Sequence, residues 1–117
     1  RKMNWETVEV PLELTAELKT RGQRDQPILV DCLTLWLTNL MLADLDIDIN
    51  CDALINCLDE LNCPIVFVSN EVGQGIVPEN KMARDFIDHA GILHQKLSQK
   101  VDEVYFVTAG LPQKLKG

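Results

Sequence analysis

The chain has no apolar run near the roughly 20 residues that a bilayer-spanning helix needs, and its first residues, RKMNWETVEV, lack the apolar core of a secretory signal. Both absences point to a cytoplasmic protein. There is no Lys/Arg cluster either: 18 acidic residues against 11 basic ones leave a net charge of -7. Such a surface repels phosphate backbones and anionic lipid heads, which argues against nucleic acid and membrane as partners. The four cysteines, Cys32, Cys51, Cys57 and Cys63, form no CxxC pair and meet no histidine at zinc-finger spacing. They read as reduced thiols rather than metal ligands. No Gly-Lys-Ser/Thr triplet occurs, so the Gly-Gln-Gly of Gly73 to Gly75 is not a phosphate loop. Those glycines instead give the loop positive φ and close approach to a ligand or a neighbouring subunit. Internal repeats and low-complexity segments are lacking as well.

What is present is an α/β pattern. At 117 residues and 46% apolar content the chain suits one domain with one core. It opens at Arg1, in mid-pattern, and is expected to be part of a longer polypeptide. Trp5 to Val10 alternates like a short strand, and Pro11 then opens a helix through Lys19. Ile28 to Asp31 is an apolar strand, followed by a helix over Leu33 to Ala43. Asp44 to Asn50 reads as a solvated connection, with Asn50 capping a helix whose apolar face is Cys51, Leu54, Ile55, Leu58 and Leu61. Ile65 to Ser69 is a second strand. Pro78 introduces a long helix over Glu79 to Lys100 with Met82, Phe86, Ile87, Ala90, Leu93 and Leu97 as its stripe. Val104 to Thr108 is the last strand, and Gly110 to Gly117 a tail. Strands separated by helices of this length run parallel, giving a mostly parallel sheet with flanking helices.

Candidate site residues lie at the carboxyl ends of the two apolar strands, where open α/β sheets bind small molecules. Asp31 can hold the water shell of Mg²⁺ or accept the paired ring N–H and amino donors of guanine. The plainer reading is a carboxylate capping Thr34 or the next helix, and the residues alone leave these open. Asn70 and Glu71 end the second strand, where an amide can reach a terminal phosphate; an Asx turn would explain Asn70 equally well. His89 and His94, five apart on the long helix, align poorly for a shared metal and read as surface or interface residues. Trp36 reads as core or interface, and Arg84 as half of a solvated ion pair.

The segments WETVEVP, VDCLTLWLTNL, VSNEVGQGIVPENKMARDFIDHAG and VDEVYFVTAGLPQKLK together resemble the bifunctional adenosylcobinamide kinases and adenosylcobinamide-phosphate guanylyltransferases of cobalamin biosynthesis. The resemblance runs from about Asn4 to Lys116, and NEVGQGIVPEN is its most specific stretch. It implies a P-loop, RecA-like α/β domain and a homotrimer. It implies phosphorylation of adenosylcobinamide by ATP or GTP with Mg²⁺, then transfer of GMP from GTP through a guanylyl-histidine. It also implies nucleotide contacts at Glu9 and Asp31, to which Thr34, Asn70 and Glu71 are added as candidates by their place at the strand ends. For the implied trimer, the loop of Gly73, Gly75, Ile76 and Pro78 and the helix around Trp36 are the expected contacts, because Ile76, Val77, Leu35 and Trp36 are more apolar than a solvent-facing loop and helix turn need. The family's GxxxSGKS-type phosphate loop and its guanylylated histidine have no counterpart here, and the Ala43 to Asn62 segment is shorter than usual. The chain by itself is therefore expected to be a partial nucleotide-binding domain, inactive alone. The alternative is a truncated, non-catalytic nucleotide-binding or oligomerisation domain.

Overall fold

Two short apolar runs, Ile28–Asp31 (β1) and Ile65–Val68 (β2), pair in parallel, with Ile28 opposite Ile65 and Asp31 opposite Val68. This is a computed structural model, and it describes residues 5–71 and 80–117. The order is α1 (Leu14–Arg21), β1, α2 (Leu33–Leu42), α3 (Ile47–Cys57), a 3-10 turn (Leu58–Glu60), β2, α4 (Lys81–Lys100), β3 (Val104–Thr108) and β4 (Leu111–Lys116).

The period-2 burial of the parallel pair decides which face meets the helices. Val30 is buried, and Ile28, Ile65 and Phe67 pack on the core, while Leu29, Val66 and Val68 point outward and are exposed. The core itself joins α1 to α4: Leu14 and Leu18 of α1, Leu33, Trp36, Leu37 and Leu40 of α2, Cys51, Leu54 and Cys57 of α3, and Ala90, Leu93 and Leu97 of α4. The apolar spacing foreseen for α3 and α4 is thus the spacing that packs, except that Met82 is exposed and Ile87 is only half-buried and off the core cluster. Trp36 is a core residue, and its indole N–H donates to the Leu12 carbonyl at 3.0 Å. With Asn39 Nδ2 donating to the Pro11 carbonyl at 3.1 Å, it ties the amino-terminal segment onto α2. A subunit contact through Trp36 itself does not fit this burial.

Several expectations fail for identifiable reasons. Trp5 to Val10 forms no strand, and α1 begins at Leu14, not at Pro11. The stretch read as a solvated connection already starts α3, because Asp46 rather than Asn50 is the cap: its carboxylate accepts from Ile49 N at 2.9 Å. Asn80 caps α4, accepting from the amides of Met82 and Ala83. Pro78, offered as the start of that helix, lies outside the described residues, as do Gly73, Gly75 and Ile76.

The largest correction is at the carboxyl end. The expected tail is β4, which pairs antiparallel with β3, Thr108 opposite Leu111. Ala109 and Gly110 both take positive φ, 51° and 76°. That is what a two-residue primed turn demands, and its twist suits a hairpin. Among the described residues β3 therefore belongs to a separate two-stranded sheet, and the parallel sheet has two strands. Lys116 fastens the hairpin to α4, its ammonium donating to the carbonyls of Ser98, Gln99 and Val101 at 2.8, 3.1 and 2.6 Å. These are the orphan acceptors of a helix carboxyl terminus, where a cation is favoured.

Candidate functional site

The carboxyl ends of β1 and β2 gather polar side chains on top of an apolar floor. Asp31 is the last residue of β1 and is exposed. The peptide joining it to Cys32 is cis. Thr34, in the first turn of α2, is the buried polar residue of this region. A buried hydroxyl needs partners, and Thr34 has them: Asn70 Nδ2 donates to its Oγ1 at 3.3 Å, and Cys32 Sγ lies 3.3 Å from the same oxygen. Thr38 Oγ1, one turn on, donates to the Thr34 carbonyl at 3.0 Å.

Asn70 is thus brought onto Thr34 of the neighbouring element through its Nδ2; the Asx turn offered for its Oδ1 reaches a residue outside the described ones. Glu71 follows it and is exposed. Glu9 and Asp31 meet differently. Both line one open groove of about 1700 Å³ along the bare side of β1, together with Trp5, Leu29, Arg21 and Arg24. Arg21 there pairs with Glu17 and, at 3.3 Å, with Glu6. The sequence-derived residues therefore form two neighbouring groups, Thr34–Asn70–Glu71 and Glu9–Asp31, rather than one tight cluster.

His94, read from the sequence as a surface or interface residue, instead reaches across from α4, its Nε2 2.6 Å from the hydroxyl of Ser69, the residue before Asn70. The imidazole is half-buried. Burial pulls its pKa below the ordinary histidine value, against the opposing charge of Glu71. The available signal was position: His94 follows Leu93 and precedes Leu97 by three, so it sits on the flank of the buried stripe. Among the described residues, His89, more than a turn away, makes no bond to Ser69, Asn70 or Thr34.

A metal would need more than is gathered here. Among the described residues no group of three or more His, Cys, Asp and Glu lies close enough to hold an ion. Asp31 alone suits Mg²⁺ only in the usual nucleotide manner, one carboxylate with waters and phosphates supplying the rest. The cysteines are free; Cys51 and Cys57 are buried, Cys32 and Cys63 half-buried. Burial pushes the Cys51 thiol up to about 11 and also raises Cys57 and Cys63. Among the described residues no helix is long and apolar enough to cross a membrane.

Comparison with known proteins bears on this geometry. The family model described as CobU, cobinamide kinase / cobinamide phosphate guanyltransferase, matches residues 1–115. The bifunctional adenosylcobalamin biosynthesis protein CobP of Pseudomonas aeruginosa is 46% identical over 119 residues, spanning 100% of this chain and 69% of that protein. The corresponding CobU proteins of Salmonella typhimurium and Escherichia coli are each 34% identical over 131 residues, spanning 99% of this chain and 72% of theirs.

Proposed function

The chain belongs to the cobinamide kinase / cobinamide phosphate guanyltransferase family, and we propose that it carries part of the nucleotide site of such an enzyme, one that phosphorylates adenosylcobinamide and transfers GMP from GTP to the product. The observation that carries this reading is the Asn70–Thr34 hydrogen bond at the joined ends of β1 and β2, beside Asp31. It sets an amide where parallel sheets receive ligands, and a carboxylate next to it.

In this reading Asp31 accepts the ring N–H and amino group of guanine and Glu9 takes ribose or base donors across the groove. The Asn70 amide and the Glu71 end of the turn face the phosphates. Thr34 holds Asn70 rather than touching the ligand. Adenine would turn a ring acceptor toward the Asp31 carboxylate, so a site of this kind favours GTP. If Asp31 instead serves Mg²⁺, it does so through water and has no base preference. The surrounding fold is read as a P-loop, RecA-like domain that assembles as a trimer. The exposed apolar side chains Leu35 and Leu42 on α2 and the loop of Gly73, Gly75, Ile76 and Pro78 are the proposed contacts.

The chain by itself is inactive in this account. Phosphoryl transfer relies on loop amides, a lysine and Mg²⁺ around the phosphates, and covalent GMP transfer on a nucleophile. The sequence holds no Gly-Lys-Ser/Thr, and His94 is engaged with Ser69. Incubation with labelled GTP and Mg²⁺ is expected to leave no acid-labile GMP on the protein. Amide chemical-shift mapping with Mg²⁺ and GTP should show changes concentrated at Asp31, Thr34, Asn70 and Glu71. Stoichiometric labelling of a histidine, or shifts scattered away from these strand ends, would contradict the assignment.

A further inference from the structure

The turn leaving β2 is tied down from both sides. Ser69, its first residue, binds His94 of α4 at 2.6 Å, and Asn70, its second, binds Thr34 of α2 at 3.3 Å. α2 and α4 pack against one another beneath it. The peptide unit between Ser69 and Asn70 is therefore clamped between two helices, each of them seated in the core by residues beside the clamp: Leu33 and Leu37 on one, Ala90, Leu93 and Leu97 on the other.

The direction of the Ser69–His94 bond follows the imidazole's tautomer: an Nε2–H donates to the Ser69 oxygen, whereas a neutral ring with a free Nε2 lone pair accepts the one proton serine has, leaving the Ser69 oxygen lone pairs unused. A protonated imidazole must donate instead. Ser69 Oγ would then accept, and its own proton would have to find another partner. The charged surroundings favour the neutral ring only in part. Glu71 draws a positive charge toward His94, but α2 has no ionisable side chain along its length, nor has β2. On α3, Asp52 is taken up by Lys96 at 2.9 Å, and Asp48 lies a turn further off in sequence. On α4 itself the nearest ionisable neighbours in sequence are His89 and Lys96, and β1 ends in Asp31.

We propose that His94 is a positioning residue of the strand-end site: by accepting the Ser69 hydroxyl proton at Nε2 it fixes the turn out of β2, and with it the Asn70 amide and the Glu71 carboxylate. The inference rests on the nucleotide reading above for its functional meaning. Proton uptake by His94 reverses the bond, leaves the Ser69 hydroxyl proton without its acceptor, and draws the Glu71 carboxylate toward the imidazolium, so the turn shifts and the ligand's hold on Asn70 weakens. His94→Gln keeps an acceptor near the same place and cannot be protonated at neutral or mildly acidic pH. His94→Leu fills the volume and accepts nothing.

The test follows two signals in the same samples from about pH 5 to 8, the range in which histidine titrates. One is the set of Ser69, Asn70 and Glu71 amide resonances by nitrogen-15 NMR; the other is the Kd for GTP with Mg²⁺ by calorimetry. In the wild-type chain both should move with a single titration, that of His94, affinity falling on the acid side by about tenfold, the size of one unmet hydrogen bond, that of the Ser69 hydroxyl proton. His94→Gln should hold near-neutral affinity and lose the acid-side change. His94→Leu should be weakened at every pH, and where it fails to fold, Ser69→Ala removes the same bond and is expected to match it. Asn70 amides that ignore the His94 titration, an unchanged acid-side fall in His94→Gln, or wild-type affinity in both His94→Leu and Ser69→Ala would each overturn the inference. Coupled amide shifts with no GTP binding at any pH would uphold the clamp and sink the nucleotide reading instead.

Discussion

His94 shows how a single side chain changes meaning once its neighbour across the fold is known. In the sequence it is one of two histidines at an unhelpful spacing; in the structure its imidazole closes on Ser69. Its lowered pKa, caused first by burial and resisted by Glu71, has a consequence for stability. A depressed pKa means that the folded chain binds fewer protons than the unfolded one, so stability is present above about 6.5, the unfolded value, and is lost as pH falls through the folded pKa. Urea unfolding at a series of pH values should show a smaller acid-side loss for His94→Gln than for wild type; identical curves would mean that His94 does not titrate in this window. Cys51 works in the opposite sense. Its pKa of about 11 keeps the thiol protonated at mildly alkaline pH, so native alkylation should leave Cys51 behind Cys32, and unfolded chain should lose the difference. The places of Asp31, Thr34, Asn70 and Glu71 at the ends of β1 and β2 were legible because those residues end or follow apolar strands. His94 was not, because only packing reveals which face of α4 meets β2.

At the scale of elements, legibility followed periodicity. β1, α2, β2 and α4 appear within a residue or two of where the apolar patterns put them, since each is set by the face it buries. Starts decided by a cap were harder: Asp46 sits inside an alternating DLDIDIN run whose aliphatics hide the cap. The hairpin was missed because its turn, Ala109-Gly110, carries alanine where asparagine would have announced it. Alanine in the left-handed region costs roughly 1 to 2 kcal/mol. Ala109→Asn should therefore raise the unfolding free energy by up to about 1 kcal/mol, read as a higher urea midpoint at unchanged slope. No gain would mean that the turn relaxes in solution. Asn80→Ala, which removes two accepted amides from the start of α4, should cost about 1 kcal/mol by the same measurement.

For the whole molecule the open matter is the sheet face that the helices leave uncovered among the described residues. Leu29, Val66 and Val68 stand out from the parallel pair, with Leu35 and Leu42 exposed on α2. Parallel strands are normally covered on both sides, so the chain should self-associate at micromolar concentration. Sedimentation velocity should give a mass above 13.2 kDa that Val66→Asp lowers by placing an unpaired charge in the contact; a monomer for the unmutated chain would refute this. The net charge of -7 also works against any anionic ligand, so GTP should bind only with Mg²⁺, and less steeply opposed at higher salt. The central claim is that the ends of β1 and β2 receive a guanine nucleotide, with Asp31 reading the base. Calorimetric titration of the wild-type chain and Asp31→Asn with GTP and with ATP, both with Mg²⁺, tests it most directly. The account predicts a loss on the order of 1 to 3 kcal/mol for GTP, where an amide donor would meet the guanine donors, and a smaller loss for ATP. Equal losses for the two nucleotides would contradict base reading by Asp31, and wild-type chain that binds neither would contradict the site itself.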